Sequence, residues 1–307
     1  MRVLSIFLLC GYIFADPYFP DDNWETKNHD EVGLDESKID NLFELTFSDD
    51  ATMSAVLIKD GYIIREEYAE GFNKDSFGTS WSTAKSFYAA LVGISLDKGE
   101  IDSLDDPVAK YVPQYDEGKK KNITIRQILN MTSGLEFPSH EHEMMFFEAD
   151  HLAYAYKVDV ENKPGEVFQY NNVNSMLMGE ILKGATGKTA KQLIEERLFS
   201  KIGLKNYTAW EDEAGNTLTY CCLDMSARDY SRFGLLFSRD GNWNGDQVIS
   251  KNYVDESLKL YWGSTPSMGW THSDTRGYSL QWWISKYDDD AKIYNTSGKF
   301  GQFVFID

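Results

Sequence analysis

The sequence predicts an α/β fold of the α+β kind: an antiparallel sheet flanked by helices, with an all-helical lobe inserted into it. Three observations predict it. Two strand-like runs, residues 53–58 and 62–68, flank Asp60-Gly61, a pair suited to a two-residue hairpin because that turn needs positive φ at both positions. Two further apolar and aromatic runs, residues 278–284 and 293–306, lie at the other end of the chain. Between the two ends, residues 100–225 carry mostly helix and loop signals. A chain of 307 residues that is 42% hydrophobic and 14% aromatic can fill the core of such a two-lobed domain.

Residues 1–15 hold Arg2, then an apolar run to Phe14, and close on Ala15 before Asp16-Pro17. That pattern reads as a signal peptide, too short to span a bilayer, and predicts a secreted or periplasmic protein. Cys10 follows Leu9, where a lipoprotein signal has a small residue, so no lipid anchor is expected. Residues 16–34 are polar and turn-rich, a surface lead-in, and the domain is expected over 35–307, with residues 35–99 and 226–307 as the sheet lobe and 100–225 as the helical lobe. Ile39, Leu42, Phe43 and Thr46 recur at helical spacing ahead of the hairpin.

Residues 82–96 read as a helix buried on most sides: Phe87, Ala90, Leu91 and Ile94 supply bulk, while Ala84, Ala89 and Gly93 permit close approach, and Gly99 ends it. In the middle segment, helices are expected over 125–129, 174–183 and 190–199, the last behind the capping pair Thr189 and Gln192. Ser226 with Asp229 opens another helix to about residue 238, followed by the turns Asp240-Gly241-Asn242 and Asn244-Gly245.

Acidic residues outnumber basic ones 49 to 30, a net charge of −19 that disfavours nucleic acid and anionic membranes as partners. An anionic substrate would need a local cation. Cys221 and Cys222 are neighbours, which disfavours a bridge between them, and no zinc pattern is present. His140-Glu141-His142 with His151 reads as polar surface sequence rather than a metal site, and no cofactor is implied.

Chemistry enters with Ser82-Thr83-Ala84-Lys85, a hydroxyl and an amine three apart on one helix face. A serine hydroxyl becomes a useful nucleophile when a base removes its proton, and lysine serves as that base once burial lowers its pKa. Ser95 and Lys98 repeat the spacing at the polar end of the same helix, where a surface pair is the natural reading. Tyr170-Asn171-Asn172 places a phenol able to relay protons beside a carboxamide, Asn172, able to bind a substrate amide and Lys85. Lys299-Phe300-Gly301-Gln302, read as part of an apolar strand, offers a cation, a glycine that admits close backbone approach, and an N–H for a developing oxyanion.

These three motifs, in this order, resemble those of the serine β-lactamases and penicillin-binding proteins, especially the class C, esterase and 6-aminohexanoate-dimer hydrolase branch. Residues 129–135, 222–237 and 278–283 also resemble family segments, and the likeness covers about residues 35–307. The resemblance implies a β-lactamase/transpeptidase-like fold and a serine hydrolase acting on a small ester or amide through an acyl-enzyme. It makes Ser82 the nucleophile, Lys85 its base and Tyr170 the general base or acid. Asn172, Lys299 and Gly301 would bind substrate, and the N–H groups of Ser82 and Gln302 would form the oxyanion hole. Phe300 departs from the usual Thr or Ser of β-lactamases and transpeptidases, and Gly298-Lys299-Phe300-Gly301-Gln302 is closer to the amidase and esterase branch. A D,D-peptidase or β-lactamase, and an inactive scaffold or binding protein, stay open as alternatives. Family members continue beyond the last strand, so C-terminal strands are expected to be missing and the sequence is read as a fragment. Phe137, Phe146, Phe147, Tyr154, Trp262 and Trp270 fit an apolar acyl pocket or core packing equally well.

Overall fold

The structure, a computed structural model, describes residues 17–137, 144–259, 276–286 and 292–307. The predicted signal segment with Cys10, the His140-Glu141-His142 stretch, Trp262 and Trp270 lie outside the described residues. From residue 17 on, the lead-in is more than a polar surface segment. Trp24 is buried, and the Lys27 N–H and Glu25 C=O pair with the backbone of Ile63 at 3.1 and 3.0 Å. Helix α1 (Glu36–Thr46) starts on Asp35, whose side chain accepts from the Ser37 N–H, and buries Ile39 and Phe43. The hairpin of β1 (Ser54–Lys59) and β2 (Tyr62–Tyr68) turns at Asp60 and Gly61 with φ of 54° and 89°, as the sequence predicts.

After β3 (Phe77–Thr79), a single 3₁₀ turn, Trp81–Thr83, leads into α2 (Ala84–Asp97), every residue of which is buried from Ala84 to Ser95. Its small residues work as predicted: a Cβ on Gly93 would lie 2.4 Å from the Tyr253 ring. Ser95 differs from expectation. It is fully buried and accepts a hydrogen bond from Arg197 at 3.2 Å, while Lys98 is exposed, so this Ser-x-x-Lys repeat is no surface pair.

The middle of the chain supplies α3 (Ile125–Leu129), α4 (His151–Lys157), α5 (Asn172–Thr186) and α6 (Ala190–Ile194), the last continuing as one π turn, Glu195–Phe199. Reciprocal capping boxes at Thr124/Gln127 and Thr189/Gln192 satisfy N-terminal N–H groups of α3 and α6. Two short strands, β4 (Thr208–Ala209) and β5 (Leu223–Ser226), then carry the chain back, and β5 lies between β3 and β4 in a three-stranded antiparallel sheet.

Helix α7 (Ala227–Ser238) begins at Ser226, whose hydroxyl accepts from the Asp229 N–H. A small hairpin, β6 (Asn242–Trp243) and β7 (Asp246–Gln247), precedes α8 (Lys251–Ser257). Four antiparallel strands follow: β8 (Arg276–Ser279), β9 (Trp282–Lys286), β10 (Lys292–Gly298) and β11 (Gln302–Ile306), in the order β11-β10-β9-β8. The predicted single strand over 278–284 is in fact two strands. Leu280 and Gln281, with φ of 39° and 69°, turn the chain between them. That turn plugs into the helical elements: Gln281 donates from its amide to Leu129 C=O at 2.7 Å, accepts from Ser175 Oγ at 2.8 Å, and its carbonyl accepts from Ser86 Oγ at 2.7 Å. Phe87 of α2 stacks on Phe233 of α7 at 3.7 Å between centroids, and Phe233 stacks in turn on Trp282 of β9, which fixes α2 against both the sheet and α7.

Candidate active site

Ser82 sits where the chain turns from β3 into α2. The residue before it, Trp81, has φ of 46°, a left-handed conformation that a bulky side chain adopts only when its surroundings enforce it. Those surroundings are visible. Ser80 is fully buried and exchanges bonds with Leu223, its N–H donating to Leu223 C=O at 2.7 Å and its Oγ accepting from Leu223 N–H at 2.8 Å.

One helical turn on, Lys85 is 1% exposed and its Nζ lies 2.8 Å from Ser82 Oγ. Burial holds its amine well below the usual lysine range. The other Nζ contact is the Tyr220 carbonyl at 2.6 Å, a backbone partner that no side-chain motif announces. Next to it, the structure joins Cys221 and Cys222 in a disulfide, contrary to the expectation of free neighbours. Cys222 has φ of 75°, a turn that brings consecutive side chains together, and its N–H reaches toward the Trp81 carbonyl at 3.5 Å.

Tyr170 comes from the loop before α5 and is buried against the same pair, with Lys85 Nζ 5.1 Å from its ring centroid. Burial pushes its phenol above the usual tyrosine range, and a hydrogen bond with Ser82 opposes that rise. The ring is held in place by stacking on Trp283 at 5.7 Å and an edge contact with Tyr278 at 6.0 Å; Arg276 lies over Trp283 at 4.2 Å. Asn172 opens α5. Its Oδ1 is buried without a hydrogen-bond partner, so the expected bond to Lys85 is not made and Tyr220 C=O fills that place.

The third motif is brought to the site, in a different form from the predicted strand. Lys299, Phe300 and Gly301 form the turn between β10 and β11, with φ of 64° at Phe300 and 84° at Gly301. A Cβ on Gly301 would meet Phe303 at 3.8 Å, an ordinary contact, whereas Gly298 makes the close approach: a Cβ there would lie 2.2 Å from the Ser80 carbonyl oxygen. Thr83 Oγ1 donates to Gln302 C=O at 3.0 Å and contacts Thr296 Oγ1 at 3.2 Å, which ties the start of α2 to both strands. Gln302 thereby lies beside the Ser82 turn, while Lys299 is exposed with its Nζ 5.4 Å from the Phe300 centroid.

The Beta-lactamase family pattern matches residues 48–307. The chain belongs to this beta-lactamase family of hydrolases. It is 24% identical over 286 residues to the 6-aminohexanoate-dimer hydrolase of Paenarthrobacter ureafaciens, covering 86% of this chain and 71% of that one. In fold, this beta-lactamase relative is similar to an octameric penicillin-binding protein homologue from Pyrococcus abyssi, with a TM-score of 0.71, 19% identity and coverage of 89% and 70%. It is also similar to a D-stereospecific amidohydrolase from Streptomyces sp., with a TM-score of 0.67, 18% identity and coverage of 87% and 88%. Among the described residues no cluster of three or more His, Cys, Asp or Glu could hold a metal, and no helix is long and apolar enough to cross a membrane. His151 is buried, with Nδ1 3.0 Å from the Tyr220 hydroxyl.

Proposed function

We propose that the protein is a serine hydrolase that cleaves a small ester or amide through an acyl-enzyme on Ser82. The observation that carries this reading is the 2.8 Å contact between Ser82 Oγ and the buried Nζ of Lys85. An amine whose pKa is depressed by burial is a competent base, and a phenol whose pKa is raised by burial keeps its proton. This division makes Lys85 the base and Tyr170 the acid. Ser82 Oγ bonds to the carbonyl carbon as its proton passes to Lys85, and the carbonyl electrons move onto oxygen, facing the N–H groups of Ser82 and Gln302. Collapse breaks the bond to the alcohol or amine, which leaves with a proton from Tyr170, and Lys85 restores the phenol. Water then attacks the acyl carbon, its proton returns through the same groups to Ser82, and the acid departs. Asn172 Oδ1 is suited to accept from a substrate amide N–H.

Phe300, in place of a hydroxyl residue, favours ester or amide hydrolysis over β-lactam or peptide carboxylate recognition. Residues 1–15 are proposed to direct export. A fluorophosphonate or chromogenic ester followed by peptide mass spectrometry should modify Ser82 in the wild type and leave Ser82→Ala unmodified. Equal labelling of both proteins would remove the assignment, and rapid nitrocefin turnover would shift the substrate to β-lactams.

A further inference from the structure

Trp81, immediately before Ser82, begins a continuous run of aromatic contacts. Its ring touches Phe300 at 5.4 Å on one side and Phe146 at 6.2 Å on the other. Phe146 contacts Phe147 at 5.9 Å and His151 at 6.3 Å, and His151 lies 5.8 Å from Tyr220, whose carbonyl holds Lys85. The run starts beside the serine and ends beside the lysine, so it borders the reacting atoms along one side. Its two outer members are unusual: Phe300 is 74% and Phe147 76% exposed, a large apolar area left in water at the mouth of a catalytic site. Tyr154, partly buried, packs on the core.

The run is uncharged in character. His151 is held below the usual histidine range by burial and so stays neutral near pH 7. Lys299 is the cation beside Phe300, on a protein whose net charge of −19 opposes anions at longer range. Resting on the acyl-enzyme reading above, we infer that Trp81, Phe146, Phe147 and Phe300 form a specificity surface for a neutral apolar substituent, aromatic or long-chain aliphatic, on the ester or amide that Ser82 attacks. Such a group would cover the two exposed rings as it binds.

Burying one methylene corresponds to about a fourfold gain in kcat/KM. The test compares p-nitrophenyl esters of acetate, 4-phenylbutyrate and adipate on the full chain. The expected kcat/KM is at least about 30-fold higher for 4-phenylbutyrate than for acetate, with the half-ester of adipate below 4-phenylbutyrate. Phe147→Ser and Phe300→Ser, at exposed positions where the fold tolerates serine, should each lower the phenylbutyrate-to-acetate ratio about tenfold, mainly through KM. Phe305→Ser, also exposed but on β11 away from this run, is the control that leaves the ratio unchanged.

Equilibrium binding of the 4-phenylbutyrate ester to Ser82→Ala, followed by tryptophan fluorescence, should weaken by the same factor when Phe147→Ser or Phe300→Ser is added. That binding result would support the surface even if no ester were hydrolysed, an outcome that would sink the acyl-enzyme reading alone. Hydrolysis with no preference among the esters, a faster adipate half-ester, or unchanged ratios in both phenylalanine variants would overturn the inference and leave the acyl-enzyme standing.

Discussion

Replacing Lys85 with methionine separates two consequences of burying an amine between Ser82 and Tyr220. The folded amine has a pKa well below its ordinary value of 10.5 because burial disfavours the charged form. In the window between the folded and unfolded pKa values, the unfolded chain binds a proton that the native chain lacks. Stability of the wild type therefore rises with pH there, by about 1.4 kcal/mol per pH unit. Lys85→Met has no such slope. It leaves the Tyr220 carbonyl and Ser82 hydroxyl without their 2.6 and 2.8 Å partner, at about 1–3 kcal/mol for a buried polar group. The expected outcome is a variant less stable than wild type by about 1–3 kcal/mol at pH 10, with the deficit shrinking as the pH falls toward 8. Activity falls at least about 100-fold at every pH, and the wild-type kcat/KM declines on the acid side as Lys85 takes up its proton. Urea unfolding of both proteins at pH 8, 9 and 10 measures the difference. A stability gap that does not change with pH would show that Lys85 is charged in the folded protein, and the base assignment would fail with it.

Three further substitutions probe the supports of the site. Tyr170→Phe keeps the ring contacts with Trp283 and Tyr278 but removes the phenol proposed as proton donor, so kcat should fall about 100-fold with thermal stability nearly unchanged; ester kinetics and melting curves check both. Gly298→Ala places a methyl 2.2 Å from the Ser80 carbonyl oxygen, forcing β10 away from the Ser80–Ser82 turn, with an expected loss of about 1–3 kcal/mol in urea titration and a matching drop in kcat. Gln281→Ala removes the side-chain bonds of the β8–β9 turn to Leu129 and Ser175, leaving the backbone N–H bond to Leu129, and should destabilise by about 2–4 kcal/mol; a change within error would mean that this side chain does not tie the sheet to the helices.

What the sequence shows and what it conceals divide along a physical line. The hairpin at Asp60-Gly61, helix α2, the capping boxes and the meeting of Ser82 with Lys85 all follow from side-chain identity at short spacing, whereas Tyr170, far along the chain, is placed beside them only by what the resemblance implies. The Tyr220 carbonyl, the Gly298 approach to Ser80 and the turn at Leu280 and Gln281 depend on where backbone atoms meet after folding. Every residue has a carbonyl, so a carbonyl that matters leaves no mark in a motif. The position of Gly301, in the turn after β10 rather than within a strand, is hidden for the same reason. Both glycines allow close approach, and only the pairing of Gly298 with Gln302 across β10 and β11 decides which one faces the nucleophile turn.

The placement of Lys85 also explains why it sits on a helix buried from Ala84 to Ser95. A neutral amine in the folded state is unfavourable near neutral pH, because the unfolded chain carries it protonated, and a loosely held lysine would escape by turning toward water. Here that escape is closed. Residues around Lys85 on α2 are buried in every direction, Phe87 of α2 is stacked on Phe233 of α7, and Thr83 is tied to Gln302 and Thr296 of the sheet. The apolar packing that stabilises α2 therefore also keeps the amine dry, and the low pKa that suits Lys85 to the proposed role of base depends on that packing. Loosening that packing, for example by trimming Phe87, should raise the pKa of Lys85 and carry the acid limb of kcat/KM upward in pH before the protein unfolds.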